Sequence, residues 1–415
     1  MLLMMSPKLP NIGLLPVLAV LALPAQAVDL TWSGFGTVGF AVSDQSYNYQ
    51  RFIDNRGTFK RDTILGGQLD ARLSPQWSAT IQAKAAPSDH NDTDWQASLA
   101  WAFISWRPSD DWLIRGGKIR LPLMLNTENN DVGATFDFAR LPQEVYSISP
   151  LTDLVGLGVS KTWFGESMDW IAEVYAGKVE TNWRYYAREW SPSQAYPGSW
   201  FLAYDIKSTG LVLTARSLDN TFRVGAHRVE VTRDGAKIGR PIIYSGGAYQ
   251  FGNGGDEKLI IPLFTAGVSI QLPANIRMIG EYAWIKVDSS TSEGLDRWGA
   301  YLSLSKRIAA WTPYVYYAKA KSRDSALEKY QAINNNILPP PNGVTQKFIA
   351  DVIVPYDQST VALGTTYRLT PSALLKAEWS QANTGVASSL VDAPSGGDSS
   401  HQTINVFSLS YNFTF

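Results

Sequence analysis

Phe407-Ser408-Leu409-Ser410-Tyr411-Asn412-Phe413-Thr414-Phe415 closes the sequence, and its alternation decides the fold. Every odd position is large and apolar, every even one is small or polar, and the run stops on an aromatic residue. Neighbouring side chains of a β-strand point to opposite faces, so strict period two makes a strand with one apolar and one wet face. In a soluble sandwich the apolar face would point into a core. In a closed barrel set in lipid it would look outward.

The other end of the sequence favours the barrel. Lys8 is the only charge in the first 27 residues, an apolar run from Ile12 to Leu23 follows, and Ala25-Gln26-Ala27 has the small-x-small form of a cleavage site. The run is too short to span a bilayer and lacks a stop-transfer flank. Residues 1–27 therefore read as a secretory signal peptide, and 28–415 as an exported chain. Past it no apolar run is long enough for a membrane helix, yet 15 Trp and 19 Tyr are present, as a barrel with aromatic girdles requires. The absence of cysteine excludes disulfides and thiolate metal sites. His90, His227 and His401 lie far apart, so no histidine metal cluster is expected, and neither a cofactor nor a nucleic-acid partner is implied.

Alternating segments recur along the whole exported chain, about sixteen in number. They lie near 29–42, 62–74, 76–86, 95–107, 111–121, 152–163, 167–180, 201–217, 219–232, 261–272, 274–288, 295–308, 310–323, 358–370, 372–384 and 402–415. Each has the roughly ten residues that a tilted strand needs to cross a bilayer. The outward set is explicit in Trp77, Ala79, Ile81, Ala83 and again in Val361, Leu363, Thr365, Tyr367, Leu369.

The connections alternate as well. Tight turns such as Ser74-Pro75-Gln76, Pro108-Ser109-Asp110 and Thr370-Pro371-Ser372 carry Pro and Asp, which preset φ or bond locally. Long polar loops fall near 43–61, 87–94, 122–151, 181–200, 233–260, 289–294, 324–357 and 385–401. The expected fold is an all-β transmembrane antiparallel β-barrel of about sixteen strands, with short periplasmic turns and long extracellular loops. Its last strand must pair with the first, Leu30 to Val42, so that no edge is left open. Eighteen strands is the nearest alternative. A soluble protein of several sandwiches is the other, and it does not explain long loops at strictly alternate connections.

Two motif matches carry little. Gly34-Phe-Gly36-Thr-Val-Gly39 fits G-x-G-x-x-G, but alternation continues through Phe40 and Val42 where a nucleotide site needs a helix. His227 on the polar face of the ninth strand, with serines nearby, would suit a hydrolase, yet no nucleophile stands in a distinctive motif.

Segment 122–151 follows the fifth strand and includes Glu128, Asp131, Val132-Gly133, Phe136-Asp137-Phe138, Arg140-Leu141-Pro142 and Glu144-Val145-Tyr146. It is long for an ordinary loop and too apolar for disorder. Here the chain resembles the trimeric sixteen-stranded porins of Gram-negative bacteria, whose third extracellular loop folds into the barrel and narrows it. Local resemblance is strongest from Arg115-Gly-Gly-Lys118-Ile-Arg120 through Asn129-Asn-Asp131-Val-Gly133 to Leu141-Pro-Gln-Glu144-Val-Tyr146. That stretch looks like a poorly characterised group of porins loosely similar to phosphate-selective ones, without a dedicated lysine and arginine ladder.

The resemblance implies an outer-membrane location, a homotrimer in contact with lipid and lipopolysaccharide, and small hydrophilic solutes as cargo. It also makes Phe407, Leu409, Tyr411, Phe413 and Phe415 the signal read by the outer-membrane assembly machinery. The wet parity of each strand places Arg72, Lys84, Arg115, Lys118, Arg120, Arg223, Arg277, Arg297, Arg307, Arg368 and Lys376 on the lumen wall. Asp70, Glu173, Glu281 and Glu378 share that wall. Lys118 can join Arg115 only if Gly116-Gly117 forms a bulge. Arginine or lysine facing lipid at the midplane would cost about 2–4 kcal/mol, which favours the inward placement.

The in-folded loop would bring Glu128, Asp131, Asp137 and Glu144 opposite these cations, with Arg140 the exception. Facing rows of opposite charge set a transverse field that sorts solutes. The bland alternative is that these charges pair only to anchor the loop. The functional expectation is a passive diffusion channel, not an enzyme, with a weak anion preference. A substrate-specific channel for phosphate, sulfate or an organic anion is the alternative, and an outer-membrane hydrolase a more distant one.

Overall fold

Period-two alternation becomes sixteen antiparallel strands that close into one barrel in the computed structural model, which describes residues 28–149, 151–189, 197–288, 292–338 and 346–415. The proposed signal peptide lies outside the described residues. In chain order the barrel strands are β1 (Asp29–Ser43), β2 (Ile64–Arg72), β3 (Trp77–Pro87), β4 (Trp95–Trp106), β5 (Trp112–Arg120), β6 (Asp153–Trp163), β7 (Asp169–Ala187) and β8 (Gly198–Arg216). They continue as β9 (Thr221–Thr232), β10 (Lys258–Leu272), β11 (Ile276–Ile285), β12 (Arg297–Lys306), β13 (Trp311–Ser322), β14 (Tyr356–Thr370), β15 (Ala373–Ser388) and β16 (Thr403–Thr414). Neighbours in sequence are neighbours in the sheet, and β16 returns to β1 with Phe35 opposite Thr414 and Ser43 opposite Val406. Closure at sixteen excludes the eighteen-stranded alternative and leaves the barrel wall no unpaired edge.

The two faces follow the alternation. Phe407, Leu409 and Tyr411 stand exposed on the outside, whereas Val406, Ser408, Ser410 and Asn412 are buried inside. Leu157, Leu211, Leu213, Phe264, Leu302 and Leu363 continue the exposed apolar surface round the barrel. Apolar area on this scale is unfavourable in water by roughly 25 cal/mol for each Å², so lipid is its natural solvent. At the short-turn rim Trp77 stacks on Trp106 with centroids 5.7 Å apart, and Trp311 meets Tyr367 at 4.5 Å. Amphipathic rings of this kind belong at a membrane interface.

Long loops alternate with short turns as the sequence predicts, with one main departure. Within segment 181–200, residues 181–187 and 198–200 are sheet, because β7 and β8 stay paired from Thr181 opposite Tyr204 to Ala187 opposite Gly198. These two strands run on past the ends of their other neighbours, and their mutual pairing satisfies the backbone groups of the paired residues there. Other loops carry helix α1 (Gln143–Tyr146), α2 (Asp324–Asn334) and α3 (Lys347–Asp351), and Asn48–Tyr49 pairs with Val391–Asp392 to tie the first loop to the last.

The expected bulge in β5 does not form. Its register runs unbroken from Arg115 opposite Gly158 to Lys118 opposite Val155. Lys118 therefore shares the face of Val155, which is 53% exposed to the outside, and its Nζ pairs with Asp153 at 3.3 Å. Gly117 absorbs its backbone freedom differently, at φ +130° with Ala102 and Phe103 packed where a Cβ would lie.

The loop between β5 and β6 folds into the barrel. Leu121, Leu123, Phe138, Val145 and Ile148 are buried against Leu154, Ile206, Leu263, Tyr301 and Tyr314 of the wall. Those inward apolar residues contradict a purely wet lumen, and the loop is what covers them.

Candidate functional site

The in-folded loop is pinned at several places, mostly by wall residues from strands distant in sequence. Arg120, at the end of β5, turns back on the loop and bonds Asp131, Asn130 and the Thr127 carbonyl. Lys84 of β3 reaches the same Asp131 carboxylate at 2.8 Å. Burial pushes the Asp131 carboxyl up, but Lys84 and Arg120 together outweigh it and hold it below the usual carboxylate range. Lys376 of β15, only 2% exposed, donates to the carbonyl oxygens of Gly133, Phe136 and Phe138 at 2.6, 2.7 and 2.7 Å. Phe138 sits edge-on to Tyr301, Tyr314 and Tyr316.

Two buried carboxylates complete the anchoring. Glu281 accepts from the Leu125 amide at 2.6 Å and from the hydroxyls of Tyr146 and Tyr301 at 2.7 and 2.6 Å. Glu144 accepts from Gln358 at 2.7 Å and from the Thr360 hydroxyl. Glu144 is 2% exposed, so it is a fastening inside the wall and not the solute-facing carboxylate that the sequence predicts. Arg140 also departs from the wall-facing row. It clamps Asp62 of the first loop, with Nε to Oδ1 at 2.7 Å and Nη2 to Oδ2 at 2.5 Å. Asp62 is pushed up by burial, yet Arg140, with Arg61 and Lys376 nearby, outweighs that and lowers it overall.

Glu128 and Asp137 do face wall cations. Glu128 lies 3.8 Å from Arg115 and 4.0 Å from Arg223, and Arg115 also meets Glu173 at 3.6 Å. Asp137 has Lys376, Arg277, Arg368 and Arg307 around it, but burial dominates and raises its carboxyl above the usual range. Arg277 bonds Ser269 at 2.8 Å. Arg72 and Arg368 are exposed at the short-turn rim and have no side-chain hydrogen bond or ion pair among the described residues.

Between the loop and β1 to β3 a cavity of about 360 Å³ is lined by Thr37, Arg61, Asp62, Lys84, Asp131 and Arg140 among others. Arg61 and Asp62, just before β2, escaped sequence reasoning because Arg61 fell in the expected loop 43–61 and Asp62 was read as the first residue of the alternating segment 62–74, two positions before the strand begins. Their adjacency as a charged pair at a strand entrance was the only available hint. The tyrosines round Phe138 were also missed, although their inward parity on β12 and β13 is readable.

The motif matches find other roles. Gly34 to Gly39 lies wholly within β1. His227 bonds the Tyr175 hydroxyl at 2.8 Å and Thr265 at 3.3 Å, with Gly210 and Gly225 so close that a Cβ on either would lie 2.5 Å from its ring. Ser208 approaches Tyr175 and not the histidine, so no Ser–His pair is assembled there. Among the described residues no group of three or more His, Cys, Asp or Glu is placed to hold a metal ion.

A closed sixteen-strand barrel with short turns on one rim and a charged loop folded inside is the architecture of outer-membrane porins, and solved structures agree. OmpT from Vibrio cholerae in its trimer form superposes with a TM-score of 0.53 at 10% identity, covering 94% of this chain and 100% of that one. The anion-selective porin from Comamonas acidovorans gives 0.52 at 9% identity over the same shares. OprB from Pseudomonas putida gives 0.55 at 11% identity, covering 94% of each chain. No family model and no curated relative matches the sequence. The chain has a porin-like outer-membrane channel fold.

Proposed function

We propose that this protein is a passive diffusion channel for small hydrophilic solutes in a bacterial outer membrane, with a weak anion preference. The observation that carries the proposal is the charge around the in-folded loop. Arg277, Arg307 and Arg368 surround a single loop carboxylate, Asp137, whose own ionisation burial disfavours. Excess positive charge along a narrowed, low-dielectric path concentrates anions and repels cations. The exposed apolar exterior supports lipid as the surroundings, and the signal-like residues 1–27 support export.

A homotrimer is part of the same reading, supported by the fold it shares with the trimer form of OmpT. So is recognition of the Phe407, Leu409, Tyr411, Phe413, Phe415 series by the assembly machinery. Detergent-purified protein in a planar bilayer provides the test. Stepwise conductance with a reversal potential shifted toward that of chloride in a KCl gradient is the expected result, in groups of three steps for a trimer. A clear cation preference would overturn the selectivity, and no conductance at all would overturn the channel.

A further inference from the structure

Most cations round the cavity between the loop and β1 to β3 are already committed. Lys84 pairs with Asp131 at 2.8 Å, Arg140 with Asp62 at 2.5 Å, and Arg51 with Asp92 at 2.5 Å. Arg61 is different. Its Nη2 donates to the Gln143 amide oxygen at 3.0 Å, its Nε is enclosed without a partner, and no carboxylate among the described residues stands within ion-pair distance. A guanidinium carries five donors in a planar fork, so most of its bonding capacity is unused. Burial, reinforced by Arg140, pulls Arg61 down to about 10, which still leaves it charged at neutral pH.

A partly buried guanidinium whose Nε is enclosed without a partner is costly unless something completes it. We propose that Arg61 is the docking point for the oxyanion group of a permeating solute, a carboxylate or a phosphoryl group, in the cavity beside the in-folded loop. Asp62 and Asp131 are held by their own cations, so they do not compete for the fork. A cavity of about 360 Å³ admits a small organic anion or inorganic phosphate. The proposal rests on the anion-preferring channel reading and adds a specific stop to it.

The test uses the full-length channel in planar bilayers bathed in KCl, with potassium phosphate or potassium acetate titrated into one side. Wild type should show concentration-dependent, saturable block of the chloride current. Block by phosphate alone supports a phosphoryl site, and block by both supports a general oxyanion site. Arg61→Gln should raise the half-blocking concentration about tenfold, the usual worth of one charge-assisted contact. Arg61→Lys retains charge without the fork and should raise it by a smaller factor, which keeps the test alive if the glutamine variant does not fold. Arg56→Gln, in the same loop but 85% exposed, should leave it unchanged. Absence of block in wild type, or equal block in wild type and both Arg61 variants, overturns the docking point while an anion-biased reversal potential keeps the channel reading. A cation-biased reversal potential in wild type overturns that reading itself.

Discussion

Replacing Lys376 with methionine should unfasten the middle of the in-folded loop while leaving the barrel intact. The ammonium lies 2% exposed and donates to three loop carbonyls at 2.6, 2.7 and 2.7 Å. Bonds from a charged donor are worth roughly 1.5–3 kcal/mol each, offset by several kcal/mol for dehydrating the ammonium. Methionine fills similar volume and retains contact with the Phe136 ring, over which Nζ lies at 4.2 Å. The three carbonyls of Gly133, Phe136 and Phe138 lose their donor, so the net loss is about 3–5 kcal/mol. At ~1.4 kcal/mol per factor of ten, the detached state of this stretch gains roughly two to three and a half orders of magnitude in population. Glu281, Glu144 and the packing of Val145 and Ile148 remain, which keeps the disturbance local. Single-channel recording should show rapid excursions above the wild-type conductance. Thr366→Val, which removes one bond to the Asp137 carbonyl at 2.6 Å, should give a milder version. A quiet Lys376→Met channel with wild-type conductance would refute the assignment of Lys376 as the main fastening.

Four further outcomes are expected. A Cβ on Gly133 would lie 2.1 Å from Asn412 Oδ1 and 2.7 Å from Thr37 Oγ1, so Gly133→Val should destabilise the seated loop by about 1–3 kcal/mol, seen as noisier current with normal barrel assembly. Because burial raises Asp137, lowering the pH from neutral should protonate it before ordinary carboxylates, strip one negative charge from among Arg277, Arg307 and Arg368, and increase anion preference. Reversal potentials of Asp137→Asn should lack that rise. The lowered Asp62 behaves oppositely: its clamp on Arg140 contributes stability above the ordinary carboxylate pKa and loses it only as pH falls through the lower folded value, so mild acid should not loosen the first loop. Deleting Phe415, whose backbone bonds Gly34 in both directions at 2.8 and 3.0 Å, should cut the yield of heat-modifiable folded barrel far more than one exposed ring explains. Normal yield from the truncated chain would remove the assembly role.

The barrel was legible because its signal is local. A residue's face follows from its neighbour's, so Phe407 to Phe415 already separates a lipid side from a lumen side, and the same parity puts Arg72, Arg277 and Arg368 inside. The same reasoning failed at Lys118, where a glycine pair suggested a bulge and the register stayed straight. A bulge depends on what both adjacent strands can pair with, which no single segment records.

The strand-by-strand alternation of faces, the alternation of turns and loops, and the presence of a charged apolar loop after the fifth strand are therefore properties of the sequence alone, whereas closure at sixteen strands and not eighteen belongs to the tertiary structure. The tertiary structure decided which charges meet. It turned Glu144 from a pore carboxylate into a fastening on Gln358 and Thr360, and set Arg140 against Asp62. It also left Arg61 with no anion of its own among the described residues. Those outcomes join residues tens to hundreds of positions apart across a closed lumen. Electrostatic pairing there depends on distance and burial in three dimensions, not on order along the chain.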